Sequence, residues 1–470
     1  MSTGKAGRYA PIRLAFMLSC MFFLVISMHN IASGFRGISK NNYTERIEIN
    51  IKNKFIDQQN LMDYGDMLAL KRYFSSGKVS YMNEIDAAAG YGATLLPVKV
   101  VLAGEDFELF SEAEMIRGAF LGRDQHRYGR KAAIISDRLA EKLFTTYDAI
   151  GNDIAIGEEK YKITGVYHSS RSLLSFMSSD GIERIYVPFE SMQENNSLGI
   201  DTVFIKDKNL EEERFKENRT LNILREKTGA DLTAYRITDF YTWCAFLEQP
   251  LQVFIFFMAM LVIFMLAVYF MKCIIFFSGY LRGCMQNKYF FEMLVTEKAR
   301  IALFLAALSV ISALMGLTLW LAGFKPLIPY QYIPYDNIFD LGFYLEKLIQ
   351  YVHASNQLQG YIPTSLEMYR KNASLIINLL SVFLAAVFIL TVFEIRLYKA
   401  CIKSPGNLFL LLPVSGAASV AISFGACTAC GFKYSLPLKS LAVVIAFLLF
   451  ALKYGKDFNF TALTKLRAPV

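Results

Sequence analysis

The stretch from Val253 to Phe270, VFIFFMAMLVIFMLAVYF, contains no charged side chain and no helix-breaking residue. About 20 such residues in a helix cross the hydrocarbon core of a bilayer, and a helix pairs its own backbone N–H and C=O groups there. No water-soluble fold accommodates this run easily, so the chain is expected to be anchored in a membrane. The remainder agrees. Across 470 residues, 54% are hydrophobic and only 19% charged, which is more apolar than an ordinary globular chain. The formal net charge is +8, with Lys and Arg placed beside the apolar runs rather than in one basic stripe. That pattern orients helices in a membrane and leaves lipid, not nucleic acid, as the expected partner.

The apolar runs divide the chain. A cytoplasmic N-terminus, 1–12, carries Lys5 and Arg8 and leads into a first transmembrane helix over 13–32. Ile31-Ala32-Ser33-Gly34 supplies small residues for cleavage, so a signal peptide is the other reading of this run. Residues 33–248 turn polar and form an extracytoplasmic domain. The second helix, 249–277, holds the opening run, and Lys272 can snorkel to the headgroups. A cytoplasmic segment, 278–300, a third helix, 301–324, an outer segment, 325–373, and a fourth helix, 374–394, follow. The cytoplasmic loop 395–406 contains Arg396, Lys399 and Lys403. A last pair of helices, 407–426 and 436–453, is joined by an outer loop, 427–435, and followed by a basic cytoplasmic tail, 454–470. Pro413 and Gly416 interrupt the fifth helix and the sixth is barely long enough, so a re-entrant hairpin is the alternative to six spans. Within the outer segment Leu345, Leu348, Ile349 and Val352 recur at helical spacing, as in a short helix at a membrane interface.

The domain over 33–248 mixes strand-like and helix-like patches, which argues for α+β. Expected helices are Gln58 to Phe74 and Leu210 to Lys227. Expected strands are Val98 to Ala103, Arg184 to Val187, Thr202 to Ile205 and Asp231 to Ile237. The most legible stretch is Lys131 to His168. It opens with an apolar strand, Ala132 to Ile135; Ser136-Asp137 then cap a helix through Leu139, Ala140, Leu143 and Phe144. Ala149-Ile150-Gly151 is expected to break that helix, and Asp153 to Val166 alternates about a turn at Gly157-Glu158-Glu159, as a hairpin does. No cysteine lies between Gly34 and Trp243, so the domain is held by its core and not by disulfides.

Catalytic signatures are absent. There is no GxxxxGK[ST], no GxSxG and no HExxH, and the four histidines are scattered. Gly90-Tyr91-Gly92 lacks the third glycine of a nucleotide loop and reads as a turn. The chain is expected to bind no cofactor or metal and not to be an enzyme. Cys427 and Cys430 form a CxxC at the outer end of the fifth helix, open to four readings: helix packing, a local disulfide, thiol exchange by a membrane enzyme, or half a metal site. Lys272, Glu394 and Lys439 lie near the ends of spans, which argues against a proton-coupled carrier or an ion channel.

The stretch IISDRLAEKLF followed by AIGNDIAIGEEKYKITGVY resembles the periplasmic core domain of MacB/FtsX-type ABC transporter permeases. The shared pattern is a strand, a helix ending at Ala140 to Phe144, Ile150-Gly151, and a hairpin closing in Gly165-Val166. Arg117-Gly118-Ala119-Phe120, Ile185-Tyr186-Val187-Pro188-Phe189 and Met192-Gln193 match in the same order, so the resemblance covers roughly Val98 to Phe240. It implies an α-helical transmembrane bundle with a MacB-like α+β extracytoplasmic domain, in a bacterial cytoplasmic membrane. It also implies a permease subunit, paired as a homodimer or with a second permease. A separate ATPase subunit would bind ATP and Mg and drive movement of the outer domain, for export or mechanotransmission. The segment touching that ATPase would include Arg282, Lys288, Tyr289, Phe290, Phe291, Glu292 and Lys298. A glycine usual in the family is missing near Thr296. The alternative function is a non-transporting regulator whose outer domain senses a ligand or activates a cell-wall hydrolase.

Overall fold

The computed structural model describes residues 3–38, 46–51, 62–74, 78–111, 113–169, 172–192, 199–206, 226, 235–286, 289–325, 333–334, 337, 339–357, 363–401 and 406–454. In chain order, α1 is Thr3–Ile38, β1 Arg46–Ile51, α2 Tyr64–Tyr73, β2 Lys78–Tyr91, β3 Thr94–Ala103, β4 Glu114–Gly118 and α3 Arg123–Arg127. Next come β5 Ala132–Ser136, α4 Asp137–Phe144, β6 Asp153–Ile156, β7 Glu159–His168, α5 Leu173–Ser178, β8 Glu183–Pro188, β9 Thr202–Lys206 and β10 Tyr235–Asp239. The last helices are α6 Phe240–Met285, α7 Phe290–Thr296, α8 Lys298–Ala322, α9 Leu341–Gln357, α10 Ser365–Cys401, α11 Gly406–Ala429 and α12 Leu438–Tyr454. The chain divides into a helical unit, Met1–Ala32, Glu248–Pro326 and Leu375–Val470, and a sheet unit, Ser33–Leu247 and Leu327–Ser374.

In the helical unit, segments of α1, α6, α8, α10 and α11 are long and apolar enough to cross a membrane, while the apolar part of α12, Leu438–Leu452, is shorter. Leu14, Leu18, Met21 and Val25 of α1 are buried. Small residues bring α1 and α11 close: Ser419 Oγ donates to the Ser19 carbonyl at 2.9 Å. Asn30, which looked like an interruption, is buried; its Oδ1 accepts from the Ser435 N–H at 2.7 Å. Pro413 and Gly416 lie inside α11 without ending it. α6 is longer than the span expected over 249–277. It runs unbroken past Lys272 to Met285, because nothing in Cys273 to Met285 stops a helix.

The sheet unit is built on ten strands in the order β10-β1-β9-β2-β3-β8-β5-β7-β4, with β6 pairing β2 and β7. β3 with β8 and β5 with β7 are parallel; the other pairs are antiparallel. Alternation sorts side chains to two faces. Ile47, Ile49, Ile51, Val98, Val100 and Leu102 enter one core with Leu139, Leu143 and Ile154. Val101, Ala103 and Phe204 enter a second with Phe107, Phe110, Phe120 and Tyr167. Burying a Val, Leu, Ile or Phe side chain is worth about 1.5–3 kcal/mol, so these cores replace the absent disulfides.

The Lys131 to His168 stretch folds as strand, helix and hairpin. Ser136 caps α4, its Oγ accepting from the Leu139 N–H at 3.1 Å. α4 ends at Phe144 as expected, and Thr145, in a left-handed conformation (φ 55°), turns the chain out of the helix before Ala149-Ile150-Gly151. The β6–β7 turn uses Gly157 at φ 60°. Of Gly90-Tyr91-Gly92, read as a turn, Gly90 and Tyr91 end β2 and only Gly92, at φ 61°, lies in the β2–β3 turn. The helix expected from Gln58 starts at Tyr64, where Asp63 and Asp66 form a reciprocal cap. The helix expected over Leu210 to Lys227 falls outside the described residues, apart from Glu226, and so does the start of the strand expected from Asp231.

Candidate functional site

Two places carry polar chemistry, one in each unit. In the helical unit, α6 ends at Met285 and α7 and α8 follow, so the segment expected to touch an ATPase is a helix end, a short helix and a helix start. Tyr289 is the N-cap residue of α7 and its carbonyl accepts from the Met293 N–H at 2.9 Å. Tyr289, Arg282, Glu292 and Lys298 are exposed, whereas Met293 is buried and anchors the short helix. Phe290 and Phe291 lie in the first turn of α7; Lys288 is outside the described residues.

A side-chain cluster of Tyr280, Glu297 and Arg300 closes this segment. Tyr280 Oη donates to Glu297 Oε2 at 2.8 Å and accepts from Arg300 Nη1 at 3.0 Å, while Arg300 and Glu297 pair at 3.4 Å. The end of α6 is thereby tied to the start of α8. Glu297 and Arg300 are an i,i+3 pair that spacing can suggest, but Tyr280 joins them from a different helix and leaves no local signal.

Cys427 and Cys430 are free thiols, so the disulfide reading is not what the structure holds. They lie in a helix C-terminus. The Cys430 N–H donates to Ala426 O at 2.9 Å, the Phe432 N–H to Cys427 O at 2.8 Å, and Gly431 takes φ 72°.

In the sheet unit, four charges alternate around a closed ring. Lys99 Nζ lies 3.0 Å from Glu84 Oε1 and 2.8 Å from Asp180 Oδ2; Arg184 reaches Glu84 Oε2 and Asp180 Oδ2, each at 3.2 Å. Burial acts to lower Lys99 and to raise Asp180, but their hydrogen bonds and opposite charges win. Lys99 is held above its ordinary range and Asp180 below it. The parallel register of β3 and β8 sets Lys99 beside Arg184, and two carboxylates between like charges are what that adjacency requires.

The first turns of α10 join the ring. Arg184 Nη2 donates to Ser365 Oγ at 3.2 Å, Arg236 pairs with Glu367 at 3.3 Å, and Asn372 Nδ2 donates to Ser178 Oγ at 3.2 Å. Sheet and helix start together line a cavity of about 480 Å³, with Arg46, Glu84, Lys99, Phe110, Phe204 and Met368 among its walls. Arg46 is buried, paired with Glu48 and surrounded by the rings of Phe240, Phe204 and Phe110 at 4.8, 5.4 and 5.6 Å. None of these side chains is a nucleophile beside a base, and no group of three potential metal ligands occurs among the described residues.

The Lys131 to His168 stretch contributes a part-buried hydrogen-bonded contact. Asp137 accepts from His168 Nδ1 at 2.8 Å and from the Ser169 N–H at 3.0 Å. Burial acts to raise its carboxyl; the Ser169 and His168 bonds outweigh this and hold it below the usual carboxylate range.

Residues 20–213 match the family model of the MacB-like periplasmic core domain. The match begins inside α1 and ends before β10, so it starts and stops earlier than the stretch whose motifs carry the resemblance. Among solved structures, the extracellular domain of the noncanonic ABC-type transporter YknZ from Gram-positive bacteria is similar at 17% identity. That similarity covers 41% of this chain and 99% of that one, with a TM-score of 0.34. The periplasmic region of MacB from Actinobacillus actinomycetemcomitans is similar at 14% identity, over 44% of this chain and 95% of that one, with a TM-score of 0.33. No curated protein sequence matches the chain. Residues 20–213 are therefore a domain of the MacB-like periplasmic core family, in a chain that also contains several helices long and apolar enough to cross a membrane.

Proposed function

We propose that this chain is the permease subunit of an ABC system in the cytoplasmic membrane of a bacterium, and that it works mechanically rather than as a channel. ATP and Mg are bound by a separate ATPase subunit, since the chain has no GxxxxGK[ST] of its own. The observation that carries the reading is the MacB-like core domain lying between apolar helices α1 and α6. Two permeases and two ATPases form the working complex, closed two-fold assemblies being the common symmetric solution. ATP shifts the outer domain only if it binds one state better than the other.

Support for the contact with the ATPase comes from the segment around α7. Tyr289, Glu292 and Arg282 are exposed there, and the Tyr280–Glu297–Arg300 cluster ties its two flanking helices. The test is co-purification of the chain with candidate P-loop ATPases from the same organism, followed by ATP turnover in vesicles. Tyr289→Ala with Glu292→Lys should reduce assembly and turnover at least about tenfold, the loss of roughly 1.4 kcal/mol of binding. Unchanged assembly and turnover would remove this segment from the interface.

A further inference from the structure

We propose that α9 is a lipid-surface helix: its exposed apolar face lies in the boundary between headgroups and acyl chains of the bilayer that the chain crosses. Asp340 starts the helix, its Oδ1 accepting from the Gly342 and Phe343 N–H groups at 2.9 and 3.2 Å. Leu341, Leu345, Leu348 and Val352 then follow one face, flanked by Tyr344 and Ile349. All six are exposed, Leu345 and Leu348 at 60% each. The other face is internally satisfied. Gln350 Nε2 donates to Glu346 Oε1 at 3.0 Å, and Lys347 Nζ lies 5.6 Å from the centre of the Phe343 ring. The helix is thus sharply two-sided, with Leu341, Leu345, Leu348 and Val352 left exposed on one side.

Two observations select lipid over protein as the occupant. The first is continuity. α9 is carried by the chain between α8 and α10, both of which contain segments apolar and long enough to cross a membrane, so both its tethers lead to a bilayer. The second is charge. Glu346 and Lys347 cancel, and the apolar stripe contains no ionisable side chain, so the helix offers no complement to a charged partner. Aliphatic side chains with an aromatic edge are what the interfacial zone takes up, through buried apolar area alone. Binding is therefore independent of anionic lipid and of salt.

The test uses the full-length protein reconstituted in phosphatidylcholine vesicles. An environment-sensitive fluorescent amino acid is incorporated at Leu348 and, in a second preparation, at Gln350. Lipid brominated near the top of its acyl chains should quench the probe at Leu348 at least about twofold more than the probe at Gln350, and aqueous iodide should show the opposite order. Both orders should persist at high salt and when anionic lipid is added. A Leu348 probe as open to iodide as the Gln350 probe overturns the proposal. So does a Leu348 probe shielded from iodide but untouched by the brominated lipid, because a second copy of the chain or another protein would then cover the face.

Discussion

Replacing Gly118 by Ala tests the sheet unit at its tightest point. Gly118 sits opposite Gly165 across the antiparallel β4–β7 pair and adopts φ 75°. A Cβ there would clash with the Thr164 carbonyl oxygen and come within 2.9 Å of Gly165 Cα. These are backbone atoms, so no rotamer relieves the overlap. The positive φ costs a non-glycine residue about 1–2 kcal/mol. Withdrawing β4 from β7 forfeits about two ladder hydrogen bonds at roughly 1 kcal/mol each. The sum is about 3–4 kcal/mol, or a fall in midpoint of about 10 °C for a unit of this size. Gly157→Ala is the control: Gly157 also has positive φ, but a Cβ there meets open space, so only the dihedral cost of about 1–2 kcal/mol applies. The assay is hydrogen exchange of β4 and β7 peptides along a temperature ramp, with the full-length protein in nanodiscs. Equal shifts for the two variants would refute the close approach of β4 and β7.

Two other perturbations follow from the ionic contacts. Asp137 and Asp180 both titrate lower folded than unfolded, so the stability they contribute is complete above the ordinary carboxylate pKa of about 3.9 and is lost as pH falls through the depressed folded values. Asp137→Asn and Asp180→Asn should each lower stability near neutral pH and flatten its decline between about pH 5 and about pH 2; an unaltered acid limb in a denaturation series would contradict this. Arg46→Met leaves the buried Glu48 carboxylate alone and should cost about 3–5 kcal/mol, whereas Arg46→Met with Glu48→Leu should recover most of it. A double variant no better than the single, in the same unfolding assay, would show that Arg46 acts through its three phenylalanines and not through its partner.

Much of this architecture was readable before any coordinates. Val253 to Phe270 had to be a membrane helix, and Ser136 had to cap α4, because both signals are local. β1 carries a local signal in Ile47, Ile49 and Ile51 alternating with Glu48 and Asn50, but the run is short and borders a polar stretch. β2 was harder. Asn83, Glu84 and Asp86 break its apolar pattern: Asn83 donates to the Gly199 carbonyl, Glu84 serves the ion ring, and Asp86 is exposed. The polar sites were the least legible. Glu84, Lys99, Asp180 and Arg184 meet only after β3 and β8 pair in parallel, and Glu367 reaches Arg236 from a distant part of the chain. The motif Arg117-Gly118-Ala119-Phe120 was recognised as a pattern, but its physical reason, two glycines facing each other, needed the register of β4 on β7.

The pairing of β1 with β10 has a mechanical consequence. The chain enters the sheet through β1 soon after α1 and leaves through β10 directly into α6, and Ile47 faces Asp239 at the helix-proximal end of that ladder. The two strands are therefore loaded from the same end. A pull shared by both stems is carried along the strands into the neighbouring β9, whereas a force parting the stems would peel β1 from β10 one pair at a time, starting at Ile47. The Phe35 ring, stacked on Phe240 at 5.1 Å and close to Trp243, sits where such peeling would begin. Parting β1 from β10 at that end would first have to separate the Phe35 ring from Phe240.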